Sequence, residues 1–221
     1  MKKILIGIAL ISLSFHPTFS QEQQVDIMDL IRDLQQWKKE DSNMKMVWWI
    51  PTKYWEITAK GTPNFTPEAL EEIISSVDDY TIMACLDGNI GTLGFTYQET
   101  TEIKIIDKDG IEYQSIDKTT LPDNTNNLLN ILKPTLANMI GQMGQNIEFY
   151  VFSNKKINGD AVLDPETAGK FSVVFNGHKF NWRLPLGSLV PRKKCPKGDE
   201  LHSGSWSYCP WHGSKLVKQT K

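Results

Sequence analysis

The chain has 221 residues, 24 basic and 26 acidic side chains, and a formal net charge of −2. That length suits one ordinary domain plus a small appendage, and seven Trp, nine Phe and six Tyr supply a core. The mild acidity argues against a broad nucleic-acid face, which needs clustered positive charge.

Met1-Lys2-Lys3 is a basic start, followed by an apolar run from Ile4 to Leu13 and a polar exit ending Thr18-Phe19-Ser20. The run is shorter than the roughly 20 residues a membrane-spanning helix needs. The pattern is that of a cleaved secretory leader over residues 1–20, leaving Gln21 as the new start. No Cys near the cleavage point supports a lipid anchor, and no later segment is apolar enough to span a membrane. Cleavage removes Lys2 and Lys3 and no acid, which takes the net charge from −2 to −4. The expected address is secreted, in the periplasm, and the processed chain is not expected to be an integral membrane protein.

Residues 21–43 read as an N-terminal helix, because Ile27, Leu30, Ile31 and Leu34 recur at spacings of three and four. The stretch is too short for a coiled coil. The β-branched and aromatic content of residues 44–58 predicts strand, with a bend or edge at Pro51. Trp48 and Trp49 are adjacent, so on a strand they face opposite ways and both are buried only if both faces are covered. With Tyr54 and Trp55 they could form a carbohydrate-stacking platform, but core is the plainer reading.

Thr66-Pro67-Glu68 opens a helix with a capping Thr, a Pro at the first position and an acid at the positive end. Leu70, Ile73, Ile74 and Val77 form its apolar stripe. Residues 80–86 predict a buried strand that encloses an inert Cys85, turned by Asp87-Gly88-Asn89. A further strand is expected within 92–100, and a hairpin around Lys108-Asp109-Gly110. Residues 121–127 read as a polar loop. Residues 127–143 read as a helix, with Leu128, Leu132, Leu136, Met139 and Ile140 on one side and a kink or break at Pro134. Residues 147–152 predict a strand, and 154–169 a long polar connection. Phe171 to Phe175, Asn176-Gly177, and His178 to Leu184 form the strongest hairpin signal in the chain. His178, beside that turn, reads as a solvated loop histidine. The sum is an α+β fold, mainly antiparallel β as a sandwich or curled sheet with a few short helices. Its core spans 44–186, followed by a linker at 187–194; the prolines Pro185 and Pro191 and the basic end of residues 184–194 argue against a central strand there.

The tail, residues 195–221, carries the one concentration of soft metal ligands. Cys195-Pro196 and Cys209-Pro210-Trp211-His212-Gly213 are two Cys-Pro turns separated by a short segment. Cys209 and His212, on a turn closed by Gly, can point at one ion. This stretch resembles a zinc ribbon, in which Cys-Pro-x-Cys-Gly turns face each other with an aromatic before the second Cys, here Tyr208. The first turn departs from that pattern, because Gly198 holds the place of its second ligand. The resemblance covers about a tenth of the chain and implies a structural zinc bound by Cys195, His202, Cys209 and His212, with Asp199 the reserve for the fourth bond. The preceding domain resembles secreted bacterial proteins that carry such a tail, a likeness that supplies no activity and no catalytic residue.

A Cys195–Cys209 disulfide is the competing reading, since secretion favours oxidation. It would leave the placement of His212 and the Gly213 turn unexplained, so zinc is favoured. No Gly-x-Ser-x-Gly elbow, His-Glu-x-x-His or phosphate-binding loop is present. The acid pairs Asp78/Asp79 and Asp107/Asp109 are explained by a helix end and a turn. The expected function is therefore non-enzymatic: a binding or envelope-associated protein with an envelope or protein partner and no nucleic acid. A metal-dependent enzyme using the tail zinc or an acidic cleft is the alternative.

Overall fold

The computed structural model describes residues 25–60, 66–92 and 94–218. The leader assigned to 1–20 and the first residues of the N-terminal helix lie outside the described residues.

The fold is α+β with antiparallel sheets and, among the described residues, four α-helices. Helix α1 (Ile27–Leu34) is capped by Asp26, whose carboxylate accepts the N–H groups of Met28 and Asp29. It does not continue to residue 43 as expected. Gln35–Glu40 forms strand β1, which pairs with β2 (Asn43–Ile50) across the Asp41-Ser42 turn. Tertiary contacts decide this segment over its helical spacing. The Gln36 amide exchanges hydrogen bonds with the backbone of Asn181, and Lys38 lies 5.5 Å over the Phe180 ring. The strand expected to run to Thr58 also stops early. Pro51 ends β2, and Thr52–Lys60 is helix α2.

Helix α3 (Pro67–Val77) starts as its sequence predicts, with Thr66 Oγ1 accepting the Ala69 N–H at 3.2 Å. Strand β3 (Tyr80–Gly91) runs straight through Asp87-Gly88-Asn89, where a turn was expected, and pairs with β4 (Gly94–Tyr97). Gly88 is required there for a packing reason. The Phe95 ring and the Thr96 carbonyl lie against it where a Cβ would stand.

Strands β5 (Ile103–Ile106) and β6 (Glu112–Gln114) form the expected hairpin. Helix α4 (Asp123–Ile140) begins inside the segment read as a loop and runs through Pro134 as one 18-residue element. Leu129, Leu132, Leu136 and Ala137 are its buried apolar residues, while Met139, expected on that stripe, is exposed. Strand β7 (Glu148–Ser153) follows, then the hairpin of β8 (Gly169–Phe175) and β9 (His178–Leu184). Asn176 and Gly177 take positive φ values of 44° and 75° at its turn, as a two-residue hairpin requires. His178 is not a solvated loop side chain: its Nε2 lies 2.9 Å from Glu40 on β1.

These strands build two sheets. One has the order β1-β2-β3-β4, with β7 also on β3, and the other has the order β6-β5-β8-β9. They share one hydrophobic core. Trp49 of β2 packs edge-on against Phe171 of β8, at 4.8 Å between centroids, and its Nε1 donates to Thr81 Oγ1 at 2.7 Å. Trp48 points to the opposite face and meets Tyr54 of α2. Both indoles are fully buried, because the second sheet covers one face of β2 and the helices cover the other. The pair is core, as read from the sequence.

Residues 187–194 are not a bare tether. Leu186 is buried, a 3-10 turn spans Gly187–Leu189, and the Ser188 N–H donates to Asp33 Oδ2 at 2.7 Å. Lys193–Lys194, strand β10, is the central strand of a three-stranded tail sheet with β11 (Leu201–His202) and β12 (Val217–Lys218). This reverses the expectation that the linker's composition forbids a central strand. A two-residue strand needs few ladder bonds, and its prolines stay outside it.

Candidate metal centre

The tail has a small core of its own, made of Cys195, Cys209 and Leu216. Around it run two turns with the same backbone bonding. In the first, Asp199 N–H donates to Cys195 O at 3.1 Å and Cys195 N–H to Glu200 O at 2.9 Å. In the second, Gly213 N–H donates to Cys209 O at 2.9 Å and Cys209 N–H to Ser214 O at 2.9 Å. The fifth residue of each turn is left-handed, Asp199 at φ 62° and Gly213 at φ 59°. The two Cys-Pro turns are thus equivalent loops whose sulfurs meet. Position four is Gly198 in one and His212 in the other.

Among the described residues, Cys195, Glu200, Cys209 and His212 bring one donor atom each within 4.8 Å of one another, a set that could hold a metal ion. Both thiols are free and buried. His212 Nδ1 lies 3.4 Å from Cys195 Sγ and 3.5 Å from Cys209 Sγ. A tetrahedral zinc, with bonds of about 2.3 Å to sulfur and about 2.0 Å to nitrogen, holds such a pair of ligand atoms about 3.5 Å apart.

Glu200 is the donor that the sequence reading did not name. Its Oε2 is buried without a hydrogen-bond partner and sits 3.8 Å from His212 Nδ1. A Cβ on Gly198 would collide with the Glu200 carboxylate and with His212 Cε1. The missing ligand of the first turn and the presence of glycine there therefore have one explanation: the carboxylate two residues on fills that space. The only sequence signal was an acid just past the turn.

His202, expected as the fourth ligand, falls outside the mutually close set. Its Nε2 touches Cys209 Sγ at 3.4 Å, and its ring stacks on Trp206 at 5.8 Å between centroids. Asp199, the reserve, is engaged elsewhere, 2.7 Å from Lys194 Nζ on an exposed side chain. Burial raises the Cys195 thiol pKa. The Ser214 hydroxyl, the Lys197 and Gly198 N–H groups and Cys209 outweigh it and bring the value down to about 7. Cys85 shows the opposite case. It is wholly buried on β3, burial pushes its pKa well up, and it is remote in sequence and element from the tail. No helix among the described residues is long and apolar enough to cross a membrane.

The chain finds no match among family models, curated proteins or solved structures.

Proposed function

We propose that this is an exported, non-enzymatic binding or envelope-associated protein whose tail is a zinc-ribbon-like module folded around one structural zinc. The observation that carries the metal reading is the convergence of two buried thiols, an imidazole nitrogen and a carboxylate oxygen that has no other partner. Two sulfurs and a nitrogen suit zinc better than calcium or magnesium, which take oxygen donors. Four protein donors close a tetrahedral set, which is the pattern of structural rather than catalytic zinc. Cys195, Cys209, His212 and Glu200 are assigned as ligands. His202 is assigned as a donor to the Cys209 sulfur, an outer contact of the kind that orients a ligand. The exported address is supported by the pattern of residues 1–20.

Protein purified without chelator is expected to carry about one zinc per chain, with Cys195 and Cys209 alkylated readily only after chelation. Cys209→Ser and Glu200→Ala should lose the metal, His202→Ala should weaken it about ten-fold, and Cys85→Ser should leave it unchanged. Intact mass showing a Cys195–Cys209 disulfide and no metal would overturn the zinc reading. Metal retained in Glu200→Ala and lost in His202→Ala would exchange the roles of those two residues. Exported protein should begin at Gln21.

A further inference from the structure

The tail is unusual in what it leaves on its surface. Five of the twelve exposed large hydrophobic residues in the described chain, Leu201, Trp206, Tyr208, Trp211 and Val217, fall within residues 193–218. Trp211, at the tip of the second Cys turn, is 77% exposed. A module whose own core is three residues has little apolar material to spare, so this exposure runs against its folding needs. Exposed apolar clusters rimmed by polar groups mark interaction surfaces.

The net charge of the same stretch is positive. Lys193, Lys194, Lys197, Lys215 and Lys218 face only Asp199 and Glu200, a net of +3. The processed chain carries −4, so its remaining residues carry −7. Zinc would not change the tail's balance, because its two positive charges offset two thiolates. The tail sheet arranges these groups. Leu201, Lys194 and Val217 are in register on adjacent strands, and so share one face. His202, one residue along, faces the other way, towards Cys209. The face turned away from the metal is thus apolar, basic, apolar in sequence across the three strands.

We propose that this tail docks on the surface of an anionic phospholipid bilayer. Lysines attract the acidic headgroups, and Trp and Tyr settle at the headgroup level, where one end of the ring is apolar and the other is wet. Leu201 and Val217 favour a lipid surface over a nucleic-acid backbone, which offers aliphatic side chains nothing to bury against. The −7 of the remaining processed chain holds the core off the same surface and leaves the tail as the point of attachment. The inference rests on the reading of an exported protein with a metal-folded tail.

The test uses the processed chain from Gln21, which keeps every described residue, with zinc content measured on the same sample. It is mixed with vesicles of equal parts phosphatidylglycerol and phosphatidylcholine, and with phosphatidylcholine vesicles alone. Binding is expected to the anionic vesicles and not to the neutral ones. Trp211→Ala and the double change Lys194→Glu/Lys197→Glu should each weaken it at least about ten-fold while one zinc is retained. Zinc-loaded protein that ignores anionic vesicles, binds both kinds equally, or binds duplex DNA more tightly than lipid overturns the proposal. Self-association through the tail in sedimentation without lipid, abolished by the same variants, also overturns it by assigning the surface to a second copy. A sample without zinc refutes the metal reading instead, and the same variants then decide the docking separately.

Discussion

Asp87 on β3 holds its Oδ1 3.1 Å from Lys45 Nζ and 2.9 Å from Asn43 Nδ2, while its Oδ2 accepts from Asn176 Nδ2 at 2.6 Å. Asn176 belongs to the β8–β9 turn, so one buried carboxylate ties the two sheets together. Burial raises its pKa, but the bonds from Asn176, Asn43 and Lys45 outweigh burial and hold it below the ordinary value of 3.8. A lowered folded pKa means that its stabilisation is complete above the ordinary carboxylate range and is lost as pH falls through the depressed value. Asp87→Ala leaves the buried Lys45 ammonium without a counter-charge, its remaining partner being Asn43 Oδ1 at 2.6 Å, and should cost about 3 kcal/mol at pH 7. Urea melts at pH 7 and pH 3 check both points: the gap between wild type and variant should narrow at the lower pH, and an unchanged gap would show that the pair contributes by packing alone. In the sequence, Asp87 was read as turn chemistry, because Asp, Gly and Asn are all favoured in turns and nothing local reveals a partner 89 residues away. The tail behaved differently. Cys195, Cys209 and His212 converge as read, since a Cys-Pro turn encodes its own geometry. Glu200 was missed because an acid is an unremarkable residue until its oxygen is found buried with no partner.

Where local geometry and sequence pattern agree, the elements were legible. Helix α3 has its Thr cap, its first-position Pro and its stripe, and the β8–β9 hairpin has Asn-Gly and strict alternation on both arms. Where neighbours decide, the reading failed. The helical spacing holds over residues 27–34, and residues 35–40 then become an edge strand, because β2, the Asn181 backbone and the Phe180 ring offer them partners. Residues 52–60 contain β-branched and aromatic side chains, yet form helix α2, which places Tyr54 on Trp48 and on Trp55. Gly88 is the sharpest case, since its lack of a side chain serves the Phe95 ring across the ladder rather than a turn. Gly88→Ala should therefore destabilise the protein by about 2 kcal/mol, the scale of overpacking at a site closed partly by backbone. Gly110→Ala has open space but a φ of 84°, so its cost is the left-handed conformation alone, about 1 kcal/mol. Thermal melts of the two variants should rank in that order, and a Gly88→Ala protein as stable as wild type would show that the Phe95 ring swings aside freely.

At the scale of the molecule, the tail is joined to the core by more than a linker. Arg192 Nη2 reaches Asp29 Oδ2 at 2.8 Å, Asp33 receives the Ser188 N–H, and a cleft of about 600 Å³ lies between α1 and the tail, with Trp206 and His202 on its tail side. These contacts are polar and partly exposed, and exposed ion pairs contribute little, about 0–1 kcal/mol each. The tail's own apolar core is three residues, so on the zinc reading proposed above most of its folding free energy comes from the metal. The core domain has its own two-sheet interior and should not depend on that metal. Chelation of the zinc-loaded protein should therefore unfold the tail alone. Lys193 and Lys194, held as the central strand of the tail sheet when metal is bound, should become the first trypsin sites after chelation, and the fragment ending there should keep the melting temperature of the intact core to within about 2 °C. Limited proteolysis followed by mass analysis, with and without chelator, reads this directly. Equal resistance in both conditions would mean that packing against α1 holds the tail without metal, and a core that melts together with the tail would make residues 25–218 one cooperative unit.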